Sequence, residues 1–163
     1  MPTRKPDLPV QEYHFSVHAT QFQFYLQDED VPRFHPEQWP EQANTARLKV
    51  VPGLLAVRAA RAMRVPVSLK IFAREAPMVE GRNGLYTHVI EADLQVDSGK
   101  IRLLSQRDKW ADVFPIRVDR GRYRVRVYFA NLHTLRKNGQ EGDDFYDLHL
   151  WPVSLERPME LKR

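Results

Sequence analysis

Histidines and carboxylates are the residues of this 163-residue chain with the most chemistry to offer. His14 and His18 have the spacing that brings two imidazoles to one metal ion on a helix. The segment around them reads as a strand, however, where a rise of about 3.3 Å per residue sets them about 13 Å apart, too far to share an ion. His88 falls on the apolar side of another predicted strand, the usual setting of a hydrogen-bonded core histidine. The absence of cysteine removes thiolate nucleophiles, thiol redox chemistry and cysteine-bound zinc. No serine or threonine sits in a nucleophile elbow, and no glycine-rich loop opens a phosphate-binding helix. The expectation is therefore a non-enzymatic chain with no metal site and no cofactor.

What remains is charge and aromatic surface. Glu141, Asp143, Asp144 and Asp147 place four carboxylates in seven residues, without the alternating ligands and offset glycine of a calcium loop. They read as a solvated loop or as a patch that meets a basic partner. Trp110 stands in a second polar loop, 106–114, as a core plug or an interface anchor. These two loops are the expected partner-binding surface. The alternative surface is basic. Arg122, Arg124 and Arg126 share one side of a predicted strand with Tyr128, an arrangement that nucleic acid could use for phosphate contact and base stacking. Cross-strand pairing with Glu91, Asp93 and Asp97 would neutralise much of that charge. The net charge of +4 permits a nucleic-acid partner without arguing for one. A third reading is a small-ligand-binding or hydrolytic β-barrel whose site is assembled from residues distant in sequence.

The elements that position these residues are short and extended. The stretch from Asp119 to Phe129 joins a turn to a strand, with Tyr123, Val125, Val127 and Phe129 on one side and the arginines on the other. Its entry has the spacing of a tyrosine corner, whose phenol bonds back to upstream backbone. Phe22, Phe24 and Leu26 alternate with glutamines; residues 65–74 and 86–96 repeat the pattern, and 145–151 closes it before Pro152. Ser98 and Gly99 read as a hairpin turn into 100–104. Residues 39–47 predict two helical turns, and 54–63 suit a strand better than a helix. With 12 Pro and 7 Gly spread along the chain, few windows remain for helix. The pattern predicts a Greek-key-like antiparallel β-sandwich of eight or so strands with one or two short helices. Its core is expected to include Phe22, Phe24, Leu26, Val67, Leu69, Ile71, Ile90, Leu94, Tyr123, Val125, Val127, Leu148 and Leu150, with Arg124 and Arg126 exposed. One domain is expected over 13–156, between a flexible 1–12 and a tail at 157–163. The N-terminus carries charge without an apolar run, and no stretch reaches the length of a membrane span. A cytoplasmic, bacterial-type protein is the expectation.

The order of these features resembles the competence protein J family, whose founding members inhibit a DNA-entry nuclease. The resemblance rests on His18, Gln21, Phe22 and Phe24 with Asp28 after them, and on a Trp39–Ala46 segment leading to Gly53. It continues through Val96, Ser98, Gly99 and Ile101 to the Gly121/Tyr123 turn, and ends on Asp144, Tyr146 and Leu148. The chain departs from that family in its longer connection at 132–143 and its higher arginine content. The resemblance implies a small β-sandwich that binds and blocks a nuclease or toxin, with no catalytic residues to carry over. Carboxylates would then face the cationic DNA site of the nuclease: Glu141, Asp143 and Asp144, or Asp28, Glu29 and Asp30.

Overall fold

Ten strands, numbered in chain order, form two facing sheets in the computed structural model, which describes residues 8–32, 46–79, 86–134 and 141–153. The first sheet has the order β1 (Gln11–His18), β5 (Arg64–Ile71), β10 (Phe145–Pro152), β9 (Gly121–Ala130) and β6 (Tyr86–Val96). The second runs β3 (Leu48–Val51), β4 (Leu54–Arg58), β2 (Gln23–Asp28), β7 (Lys100–Leu104) and β8 (Ile116–Arg117). All pairings are antiparallel except that of β10 with β5. The fold is an all-β sandwich with helical structure limited, among the described residues, to single 3-10 turns and the helical residue Ala46. No helix there is long and apolar enough to cross a membrane. The helix predicted at 39–47 lies almost wholly outside the described residues.

The alternation in β9 sets the register. Val125, Val127 and Phe129 are fully buried between the sheets, with Leu148, Leu150, Leu69 and Val67 beside them and Phe24, Leu26, Leu55 and Leu103 opposite. The tyrosine corner is formed: Tyr123 Oη donates to Asp119 O at 2.6 Å. Eleven of the thirteen expected core residues are buried, and Ile90 packs partly buried against them.

Phe22 is a correction. Gln21 and Phe22 take φ of 54° and 65° in a 3-10 turn, so β2 begins only at Gln23 and the Phe22 ring turns outward, 40% exposed, beside the Arg58 guanidinium. Ser98 and Gly99 are a second. They form a turn, but β6 and β7 belong to different sheets, so the chain crosses the sandwich there. The Asp28 carboxylate holds that crossing, accepting bonds from Asp97 N at 3.1 Å, from Ser98 N at 3.2 Å and from Ser98 Oγ. Gln11 and Glu12, expected in the flexible terminus, pair with Ile71 and Lys70.

Arg126 is the third correction, since it is only 3% exposed. Residues 72–79 run across the outer face of the first sheet and cover the part of it over β9. Arg126 Nη1 donates to Ala76 O at 3.0 Å, and its guanidinium lies 4.8 Å from the centre of the Trp151 ring. Arg124, at the margin of that cover, keeps partial exposure and pairs with Asp93 at 3.1 Å.

Candidate functional site

The 106–114 loop is built around an arginine. Arg102 projects from the outer face of β7, in one cross-strand row with Gln27 and Leu54. Its guanidinium donates to Trp110 O at 2.8 Å and to Val113 O, and bonds Glu29 Oε1 at 2.7 Å. It also lies 4.3 Å from the centre of the Trp110 ring. The hydrogen bond from Arg102 holds the Glu29 carboxyl below its ordinary pKa. Asp108 closes the loop entry by accepting from Ser105 N at 2.7 Å. Trp110 is thus half-buried on a preformed loop. The most exposed aromatic here is its neighbour Phe114, 54% exposed and stacked 5.7 Å from Phe15 on edge strand β1.

The acidic run divides. Glu141 and Asp143 are exposed, and the Asp143 backbone is fixed by Asp143 N donating to Thr134 Oγ1 at 2.8 Å and Asn131 Nδ2 donating to Asp143 O at 3.2 Å. Asp144 is 1% exposed, pairs with Arg61 Nε at 2.6 Å and accepts from Tyr146 Oη at 2.7 Å. Burial pushes that phenol's pKa up, and its oxygen takes the Ala60 N–H at 2.7 Å. Asp147 is buried too, receiving Ser68 Oγ and, at 3.1 Å, Tyr86 Oη. Burial, then the charge of Asp147, pushes the Tyr86 phenol up to about 12. Asp28 is consumed by the crossing turn and Glu29 by Arg102 and Lys100, whereas Asp30 is exposed. Trp110 lies over the second sheet and the 141–143 carboxylates where the first sheet begins β10, so the two loops leave the sandwich from different elements.

Of the expected basic face, Arg126 and Tyr128 are withdrawn from solvent, while Arg122 and Arg124 stay partly exposed. Tyr128 is fully buried beneath 72–79, where Val79 N donates to its oxygen at 3.1 Å. Arg126 pairs with Glu91 at 2.7 Å, as Arg124 does with Asp93, and Arg122 is half-buried opposite Gln95. His14 and His18 have separate partners, Glu12 and Thr20, and His88 Nε2 meets Ala46 O at 2.9 Å. Among the described residues no three His, Asp or Glu side chains gather as a metal set.

Sequence reasoning missed Arg61, Arg102 and His149. Each acts through residues 21 to 83 positions away, with no local pattern to mark it.

A two-sheet sandwich with one preformed aromatic loop and one acidic connection is the class this geometry defines. No family model and no curated protein sequence matches the chain. The fold is shared with the crystal structure of ComJ, inhibitor of the DNA degrading activity of NucA, from Bacillus subtilis. That likeness has a TM-score of 0.65 at 14% identity and covers 91% of this chain and 100% of that one. The fold is also similar to the structure of crocagin biosynthetic gene J, with a TM-score of 0.55 at 17% identity, over 88% of this chain and 96% of that one. At these identities the likeness is one of fold.

Proposed function

We propose that the chain is a non-catalytic, protein-binding inhibitor or immunity-type module that blocks a nuclease or toxin. The 106–114 loop and the exposed part of the 132–147 connection are its contact surface. The observation that carries this reading is the likeness of fold, over the whole of that chain, to a nuclease inhibitor. The local geometry supports it: a tryptophan on a loop already fixed by Arg102 loses little freedom on binding. Exposed Glu141 and Asp143 suit a cationic nuclease site. Asp144 and Asp147 leave the contact set, since their carboxylates are spent inside the sandwich.

The test is capture of a partner by the full chain from the source cells, followed by assay of DNA degradation by the captured fraction with and without added chain. Inhibition that weakens with Trp110→Ala, and with Glu141→Lys combined with Asp143→Lys, is expected. Capture of nucleic acid alone would sink the reading. Inhibition indifferent to both loops would move the surface and leave the inhibitor.

A further inference from the structure

The outer face of the first sheet carries a row that runs Glu91, Arg126, His149, Lys70, Glu12 across β6, β9, β10, β5 and β1. Where residues 72–79 stop covering it, a cleft of about 290 Å³ opens, floored by His149, Lys70 and Glu12 and walled by Phe72, Pro77 and Val79. Two groups there keep hydrogen-bonding capacity. His149 is only 3% exposed, held between the Tyr128 and Phe72 rings at 4.8 and 5.4 Å, and its Nδ1 makes no hydrogen bond. A buried nitrogen without a hydrogen-bond partner is uncommon in folded proteins and calls for a reason. Lys70 Nζ has its carboxylate neighbour, Glu12 Oε1, at 3.7 Å, beyond hydrogen-bond length. Glu12 is shared with His14 at 3.5 Å, so it can swing away from the ammonium.

The electrostatics select the sign of a ligand. Burial, and then the charge of Lys70, push the His149 imidazole down to about 4. Burial disfavours a charge of either sign, so the preference for an anion comes from the Lys70 ammonium and the more distant Arg126, both of which oppose protonation of the ring. One lysine, partly offset by Glu12, matches a single negative charge better than a phosphate dianion. The walls are apolar, and the volume sits at the floor of ordinary ligand cavities, roughly 300 Å³, so only a few carbons fit.

We propose that this cleft binds a small aliphatic carboxylate, either a free acid or the last residue of a peptide. The carboxylate accepts from Lys70 Nζ and from the imidazole N–H of His149, and the aliphatic body rests on Phe72, Pro77 and Val79. No hydrogen bond fixes the tautomer of His149, so its proton can occupy whichever nitrogen meets the acceptor.

The experiment is NMR titration of the isotope-labelled full chain at neutral pH with isovalerate, with isovaleramide as the neutral control, and with a valine-terminated tripeptide as free acid and as amide. Isovalerate or the free-acid peptide should give saturable shifts at His149, Lys70 and Val79 with a Kd on the order of 1 mM. The two neutral amides should not bind. The acid that binds more tightly names the source. Binding should also raise the titration midpoint of His149. Lys70→Met and His149→Phe should each weaken binding at least tenfold while thermal unfolding shows them folded, and Glu12→Gln should tighten it. Equal shifts with isovaleramide, binding unaltered by Lys70→Met, or no saturation at ten times that concentration would overturn the site.

Discussion

A carboxylate in an acidic run is useful to a partner only if water still reaches it, and residues 141–147 divide on that criterion. Removing the cation from buried Asp144 leaves an uncompensated charge, so Arg61→Met should lower stability by about 3–5 kcal/mol in urea unfolding. Asp143→Lys, on exposed surface, should stay within about 0.5 kcal/mol. His149 adds a pH dependence. Its folded pKa, about 4, lies below the 6.5 of the unfolded chain, so on acidification the unfolded state takes the proton first. Stability should therefore be full above about pH 6.5, fall by roughly 3 kcal/mol towards pH 4 and change no further from this group below that. Lys70 and Arg126 oppose its protonation and Asp147 and Glu12 favour it. Denaturation midpoints of His149→Phe against pH should lack that slope.

At the scale of elements, turns and crossings hold the sheets in register. Pro52 and Gly53 join β3 to β4, with Gly53 at φ +74°, the conformation of the third residue of a type II turn. A Cβ at Gly53 would also collide with Val31 Cγ2. Gly53→Ala should destabilise by about 2 kcal/mol, more than the strain of a positive φ by itself, with relief on the double change to Val31→Ala, read by thermal unfolding. The tyrosine corner is a smaller device. Tyr123→Phe removes one bond to Asp119 and should lower stability by about 1 kcal/mol.

For the whole molecule, side chains of both sheets share one core cluster, from Val67 and Leu148 on one side to Leu26 and Leu103 on the other. A shared core makes unfolding cooperative. Amide exchange at Leu148 in β10 and Leu26 in β2 should then report the same opening free energy. Distinct values would mean that the sheets open separately. Partner binding belongs to this scale also. Charge reversal at Glu141 and Asp143 should slow association and weaken its salt dependence, whereas Trp110→Ala should speed dissociation, both read by surface binding kinetics.

Local alternation determined the sandwich. Strands such as β9 and β5 have a period of two that admits one arrangement of their apolar side chains, and the turn at 119–123 carries its own hydrogen bond. The side on which Arg126 and Tyr128 lie was equally legible. What covers that side was not, because 72–79 crosses it from a distant part of the chain, and burial depends on every layer above a residue rather than on its own strand. The same reason hid the fate of the acidic run. Asp144 and Asp147 differ from Asp143 in partners 79 to 83 residues away, Ser68 and Arg61, which only the closing of the sheets brings within reach. Periodicity is a property of neighbours in sequence and fixed the elements; desolvation and charge pairing are properties of neighbours in space, so the tertiary structure alone decided which charges stay exposed to solvent.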